Sequence, residues 1–381
     1  MVFFHGGNFR QGSGYSLLQD GRYIANHTDT IVVFVNYRLG ALGFLVSDVG
    51  KDAANGNYGI MDQRFALEWV RDNIANFGGD PNKVTIFGQS AGAQSVGIHL
   101  ASSKSDSLFH YAIMESNPLS LPLRSRLEAE ILGSYFAAEL GCRTGDINCM
   151  RSKHVEDIVY AQQNTSTKIV NPFRLLELFE PWGPYIDGDD ITEQSIDSFA
   201  KGHFQKKPII LGTTSDEARA NLFVAIPEPM DKLNYFEYVI EMFKIHSLKV
   251  LHNYPPLSSG DQREELSVAG HPYLFACPTR DALRHISYHS DLSIWTYVFD
   301  HALSFDAWGP DFNFCSLHCR LEKKMDKLNE EQRSITERFE IMEKKQEDFE
   351  RSLNETSIEV SELKINHMAV DGRLEQAEKQ I

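Results

Sequence analysis

The most informative stretch of the chain is Val84-Thr85-Ile86-Phe87-Gly88-Gln89-Ser90-Ala91-Gly92. Its first four residues are β-branched or aromatic, as in a buried strand, and the following run, Ala93 to Leu100, is compatible with a helix. Ser90 therefore lies in a sharp turn between a strand and a helix. The flanking glycines permit a strained backbone and keep the hydroxyl clear of other side chains. This pattern is typical of a serine that acts as a nucleophile.

A second glycine-rich turn, His5-Gly6-Gly7-Asn8-Phe9, follows the apolar run from Met1 to Phe4. In α/β-hydrolases a turn of this kind directs backbone N–H groups at a developing oxyanion. An ordinary loop with paired glycines is the alternative interpretation. Because one chain contains both motifs, serine hydrolase is the leading interpretation.

Composition excludes several function classes. The chain has 381 residues, of which 42% are hydrophobic, and a formal net charge of −16. A charge of this sign disfavours nucleic acid as a partner and offers no basic surface for anionic lipids. No stretch of 18 uninterrupted apolar residues occurs, so the sequence indicates no membrane span.

Apolar strand-like runs alternate with helical patterns over most of the chain. This alternation predicts an α/β fold whose central, mostly parallel sheet is covered by helices on both faces. Helices are predicted at Gln63–Asn76, Ala93–Leu100 and Asn234–Leu251. Strands are predicted at Met1–Phe4, Ile31–Val35, Val84–Phe87, Ala112–Met114, Lys207–Thr213 and Ile294–Phe299.

The character of the chain changes at Arg320. From there on, apolar residues recur at alternating spacings of four and three, which predicts a coiled coil over residues 320–381 after a globular domain over residues 1–319. Self-association through residues 321–381 would follow, whereas a long helix folded back on the globular domain is the alternative. The apolar positions are Leu321, Met325, Leu328, Ile335, Phe339, Met342, Phe349, Leu353, Val360, Leu363, Val370, Leu374, Ala377 and Ile381.

The partners of Ser90 should follow it in the chain, because the order in this fold is serine, then acid, then histidine. Asp216 and Glu217 come directly after a predicted strand, and spacing does not choose between them. The histidine is expected beyond the last strand, where His301 and His318 are the candidates. A surface or structural role is the alternative for each of these residues.

Several ordered motifs resemble the type B carboxylesterases, the cholinesterase and carboxylesterase group of α/β-hydrolases. The likeness extends from about residue 2 to Cys319 and begins inside what would be a central strand, so we do not expect the family's first strands in this chain. The motifs are Asn36-Tyr37-Arg38-Leu39-Gly40, Gly56-Asn57-Tyr58-Gly59-Ile60-Met61-Asp62-Gln63, Ala66-Leu67-Glu68-Trp69-Val70, Phe77-Gly78-Gly79-Asp80-Pro81, Val84 to Gly92 and Cys277-Pro278.

The resemblance implies a role for each matching residue. It makes Ser90 the nucleophile and Glu217 the acid of a catalytic triad. It also implies an oxyanion hole formed by the backbone N–H groups of Gly7, Asn8 and Ala91. The expected activity is hydrolysis of a small carboxylic ester through an acyl-enzyme. This chemistry requires no cofactor and no metal.

The five cysteines show no zinc-ligand spacing with histidines. Cys142 and Cys149 flank a short polar loop and could form a disulfide, as could Cys315 and Cys319, which would leave Cys277 unpaired. The resemblance implies the Cys142–Cys149 disulfide and a secreted or endomembrane protein. The first residues do not have the layout of a signal peptide, so we expect none in this chain. Glycosylation sequons begin at Asn26, Asn164 and Asn354.

The chain also departs from the family pattern. Asn8 replaces a glycine, which keeps the N–H group but loses the wider backbone freedom of glycine. Gln89 stands where cholinesterases have a glutamate beside the nucleophile. Arg320 stands where the family has the triad histidine, and a guanidinium does not accept a proton from serine. His318 would replace that base only in a rebuilt loop.

These observations leave several interpretations open. The first is a carboxylic-ester hydrolase that is impaired by the missing histidine. The second is a non-catalytic, esterase-like interaction protein whose copies associate through the coiled coil. The third is a fused or incomplete gene model, which would produce the same abrupt change at Arg320.

Overall fold

The structure, a computed structural model, describes residues 1–301 except 16–18, 48–52, 172–175 and 177–178. Met1–His301 form one compact unit. The predicted coiled coil at 320–381 lies outside the described residues, as do Cys315, His318, Cys319 and Arg320. The predicted domain boundary and self-association therefore stay predictions.

A six-stranded sheet forms the centre of the described part, and every strand pairing in it is parallel. The strands lie in the order β2-β1-β3-β4-β5-β6. This arrangement confirms the predicted α/β fold and each predicted strand, with bounds that differ by at most two residues. The strands are β1 (Val2–Phe4), β2 (Val33–Val35), β3 (Thr85–Gln89), β4 (Tyr111–Glu115), β5 (Ile209–Thr214) and β6 (Ile294–Phe299).

Helices surround the sheet, and the predicted helices at 63–76 and 93–100 correspond to α3 and α4. The helices are α1 (Arg22–His27), α2 (Gly40–Phe44), α3 (Tyr58–Asn73), α4 (Ala91–Ala101), α5 (Arg126–Glu139), α6 (Ile147–Arg151), α7 (Val155–Thr165), α8 (Ser195–Lys201), α9 (Ala218–Ala225), α10 (Lys232–Phe243), α11 (Ser247–Asn253), α12 (Arg263–His271) and α13 (Cys277–His289). Short 3₁₀ helices occur at Ile74–Phe77, Ser103–Leu108 and Lys244–His246, and a π-helix at Pro272–Ala276.

The prediction of one continuous helix from Asn234 to Leu251 was wrong. The segment is divided into α10 and α11 by the 3₁₀ turn Lys244–His246. Lys244 has a φ of +49°, a left-handed conformation that ends α10. The apolar spacing is unchanged across the break, so periodicity alone did not reveal it.

The main core lies on both faces of the central strands. Phe4, Ile86 and Met114 are fully buried, and they belong to one apolar cluster with residues from α3, α4 and α13. The edge strand β6 differs, since Trp295 is 54% exposed and Phe299 is 52% exposed. The strands β1 and β3, which carry the glycine-rich motifs, thus lie in the well-covered part of the sheet.

A second apolar cluster joins α5, α6 and α7 around Trp182, whose ring packs edge-on against Phe136. Cys142 and Cys149 form a disulfide beside this cluster, as the family resemblance implies. Cys277 is a free, exposed thiol.

Candidate active site

The carboxyl ends of β1, β3, β4 and β5 bring the candidate residues to one edge of the sheet. Neighbouring parallel strands end at the same edge, which is where open α/β sheets place their ligand sites. The turn from His5 follows β1, Ser90 follows β3, Ser116 follows β4, and Glu217 follows β5. The sheet topology thus unites segments that lie more than a hundred residues apart.

Ser90 has a strained backbone at the junction of β3 and α4. Its φ of 56° and ψ of −121° lie outside the regions that L-residues favour. The turn is held on both sides, because Ser90 N donates to Glu115 O at 2.9 Å and Gln94 N donates to Ser90 O at 2.9 Å. The strand-turn-helix context predicted for Ser90 is therefore present.

Glycines allow the β1 and β3 ends to approach each other closely. A Cβ atom on Gly92 would lie 2.0 Å from Phe4 O, and one on Gly88 would lie 2.5 Å from the carbonyl carbon of Gly92. On Gly6 it would lie 3.3 Å from the Cβ of Ser90. The glycine-rich turn after β1 consequently lies directly beside Ser90.

The turn after β1 presents backbone N–H groups. Gly7, Asn8 and Phe9 have φ values of 115°, 53° and 53°, and neither Gly7 N nor Asn8 N donates a hydrogen bond within the described residues. Asn8 adopts the left-handed region despite replacing a glycine, and asparagine tolerates that region better than most residues. Ala91 N is the first amide of α4, which has no acceptor inside the helix.

The structure distinguishes the two carboxylates that the sequence left open. Glu217 is partly buried, and its Oε1 accepts a hydrogen bond from Thr214 N at 2.6 Å. Burial raises the pKa of Glu217, while hydrogen bonds from the Ser116 side chain and from Thr214 oppose that rise. Asp216 is exposed to solvent. Glu217 is thus the carboxylate that the strand ends hold in place.

A histidine that the sequence did not single out lies beside Glu217. His271, at the end of α12, accepts a hydrogen bond at its Nδ1 from Glu217 N at 3.3 Å. Burial lowers the pKa of His271, which favours the neutral ring. With Nδ1 accepting, the ring proton lies on Nε2. His271 and Glu217 are 54 residues apart along the chain, so no local sequence motif could connect the two residues.

Of the two predicted histidine candidates, the structure describes His301 alone. His301 is exposed and lies two residues after β6, whose last residue accepts a hydrogen bond from Ser215 N, but no hydrogen bond joins His301 to Glu217 among the described residues. His318 and Arg320 lie outside the described residues.

Within the described part of the chain no group of three or more His, Cys, Asp or Glu side chains could hold a metal ion. The helices described there are too short or too polar to span a membrane.

The fold and the arrangement of strand ends define an α/β-hydrolase. A model of the family described as "Carboxylesterase family" matches residues 1–360, and the chain therefore belongs to the carboxylesterase family. This match continues beyond residue 319, where the sequence predicts that the globular domain ends.

Known proteins resemble much of the chain. It is 38% identical to the Crystal protein of Dictyostelium discoideum over 317 residues. The aligned region covers 83% of this chain and 56% of that protein. It is 36% identical to the Fumonisin B1 esterase of Sphingopyxis macrogoltabida over 68% of this chain and 46% of that protein. The carboxylesterase EST55 of Geobacillus stearothermophilus has a similar structure, with a TM-score of 0.69, 29% identity, and coverage of 79% of this chain and 62% of that one. The chain thus spans about half the length of these curated relatives.

Proposed function

We propose that this chain binds small carboxylic esters and that Ser90 attacks their carbonyl carbon. The observation that carries the proposal is the contact between the two turns, in which Gly6 abuts the Cβ of Ser90. This contact puts the N–H groups that follow Gly6 beside the serine. A nucleophile and unpaired donors are the parts that acyl transfer needs. Membership of the carboxylesterase family supports the same chemistry.

Each group has a defined part in the reaction. Ser90 Oγ adds to the ester carbonyl, and the oxygen that becomes negative accepts hydrogen bonds from Gly7 N, Asn8 N and Ala91 N. Each such donor typically lowers the barrier by about 3 kcal/mol. The proton of the Ser90 hydroxyl is transferred to the leaving oxygen, and the bond from that oxygen to the carbonyl carbon breaks to release the alcohol. Water then cleaves the acyl-enzyme, which releases the carboxylic acid and restores the Ser90 hydroxyl.

This chain has a residue suited to be the acid of the triad, but it has no histidine at the family position of the base. Glu217 is the acid that would orient a histidine, since its carboxylate is held at the end of β5. Arg320 occupies the family position of that histidine in the sequence. Loss of the base in a serine triad lowers turnover by about 10⁶-fold and leaves about 10³–10⁴-fold acceleration over water. We therefore propose that this chain is a weakened esterase.

The direct test is labelling with a fluorophosphonate, which reacts with an activated serine. We expect labelling at Ser90, slow hydrolysis of p-nitrophenyl acetate, and loss of both in Ser90→Ala. Ser95→Ala is the matched control, because Ser95 is a buried serine of the same helix that donates to Ala91 O. Absence of labelling both in the folded original chain and in Arg320→His would refute the proposal.

The proposed weakness has its own test. Arg320→His should increase kcat for p-nitrophenyl acetate by about a hundredfold or more, because a histidine accepts the Ser90 proton. His318→Ala should leave kcat of the original chain unchanged. If instead His318→Ala abolishes turnover, His318 is the base and the chain is not weakened in the way proposed.

We also propose that the protein is secreted or enters the endomembrane system. The Cys142–Cys149 disulfide supports this location, since disulfides persist in oxidising compartments. Asn26 of the first sequon is exposed, as a glycosylation site would be.

A further inference from the structure

Glu180 is a carboxylate near the serine turn that the triad does not use. It lies in the loop before Trp182, and it is only partly buried as a residue. A Cβ on Gly183 would lie 2.8 Å from Glu180 Oε1 and 3.2 Å from the Phe9 ring. The Glu180 carboxylate therefore lies near the ring of Phe9, the residue that directly follows Asn8 in the glycine-rich turn.

Gln94 connects the same carboxylate to the serine helix. The Gln94 side chain hydrogen-bonds to Glu180, while its backbone N donates to Ser90 O. Gln94 is 7% exposed, and its Oε1 has no hydrogen-bond partner among the described residues. A buried acceptor without a partner is unfavourable, so this oxygen is available to a donor such as a substrate hydroxyl.

The charged and titratable groups around Glu180 define which donor fits. Burial raises the pKa of Glu180 to about 7, and hydrogen bonding by Gln94 and the positive charge of Arg124 oppose that rise. Arg124 is buried and donates from Nη1 to Glu180 O at 3.0 Å. Among the described residues Tyr37 is another titratable neighbour, and its hydroxyl donates to His5 O at 2.6 Å. Since Arg124 already supplies one positive charge, a neutral donor fits better than a second cation.

We propose that the Glu180 carboxylate and Gln94 Oε1 form a polar subsite that binds a hydroxyl group of the ester substrate. This inference rests on the proposed function, because it assumes that the ester lies beside Ser90. The hydroxyl donates to one of the two acceptors, and the ester selected is a hydroxy ester. Glu180 is thus a specificity-determining residue and takes no part in bond breaking.

The inference is tested by binding, which does not depend on turnover. The Ser90→Ala protein is titrated by calorimetry with ethyl butyrate, ethyl 3-hydroxybutyrate and 2-hydroxyethyl butyrate. We expect at least one hydroxy ester to bind about tenfold or more tightly than ethyl butyrate, as one hydrogen bond to a charged acceptor provides. Equal binding of all three esters would overturn the inference. Fluorophosphonate labelling of the original chain tests the proposed function separately.

A conservative variant tests the carboxylate itself. In Ser90→Ala/Glu180→Gln, the preference for the hydroxy ester should fall about fivefold, because the amide keeps the shape but not the charge. In Ser90→Ala the preference for the hydroxy ester should increase from pH 6 to pH 8, because Glu180 becomes ionised over this range. In Ser90→Ala/Glu180→Gln the preference should be independent of pH. Glu156→Gln, at an exposed glutamate of α7, should change neither result. An unchanged preference in Glu180→Gln would overturn the assignment of the subsite to Glu180.

Discussion

The two halves of the candidate site are built by different means. In the half around Ser90, backbone atoms of β1, β3 and α4 touch one another through glycines, which leave no room for a Cβ. In the half around Glu217, the carboxylate of Glu217 is held by hydrogen bonds from the Ser116 side chain and from Thr214. The backbone N of Glu217 donates to the ring of His271. Both halves need the right strands as neighbours, but the first is fixed by close backbone contacts and the second by hydrogen bonds to a side chain.

The largest expected effect concerns Glu217 and its exposed neighbour. In a chain that carries Arg320→His, Glu217→Gln should lower kcat for p-nitrophenyl acetate by about 10³–10⁴-fold, because the acid then no longer orients the base. Asp216→Asn in the same background should change kcat less than about threefold, as expected for an exposed charge. Steady-state kinetics measure both. A larger loss of kcat in Asp216→Asn than in Glu217→Gln would show that Asp216, and not Glu217, is the acid.

The next effect tests the glycine contacts by comparing two glycines of α4. Gly92→Ala would bring a Cβ to within 2.0 Å of Phe4 O, a backbone atom in the middle of the sheet. We expect the free energy of unfolding to fall by about 3 kcal/mol or more. Urea denaturation followed by circular dichroism measures it.

Gly97→Ala is the matched control for Gly92→Ala. Its Cβ would meet Asn117 Nδ2 at 3.5 Å, an ordinary contact. Alanine exceeds glycine in helix propensity, so this variant should be about 0.5–1 kcal/mol more stable. Equal destabilisation by the two substitutions would mean that the close approach of β1 and α4 is not what Gly92 provides.

The smallest effect tests the side-chain support of Glu217. The Ser116 hydroxyl favours the ionised carboxylate and so lowers its pKa against the effect of burial. Ser116→Ala should raise that pKa, so the acidic limb of the pH profile of kcat/KM should move to higher pH by up to about one unit. The profile is measured with Arg320→His present. Ser215→Ala, at an exposed serine, should leave it in place, and a shift to lower pH in Ser116→Ala would contradict this role.

The fold was predictable because its strands are short apolar runs, most of them rich in β-branched or aromatic residues. Ile294–Phe299 was predicted with the bounds that β6 has, and the turn at Ser90 was predicted from its glycines. The break at Lys244 was not predictable, since no glycine or proline occurs there and the apolar spacing continues.

The site was predictable only in part. Spacing alone left Asp216 and Glu217 as equal candidates for the acid, and the family resemblance favoured Glu217. The sequence did not mark His271 or Glu180, whose neighbours come from distant segments. Ser116 shows the same difficulty, because nothing around it in the sequence points to Glu217.

By itself the sequence determined the strand-turn-helix at Ser90, the glycine-rich turn at Gly7 and the alternation of strands and helices. These features depend on residues within a few positions of one another, where glycine and β-branched side chains restrict the backbone. Only the tertiary structure decided which carboxylate faces the β4 end and which groups surround it. That choice depends on the order of strands in the sheet, and strand order brings together side chains that no local rule connects.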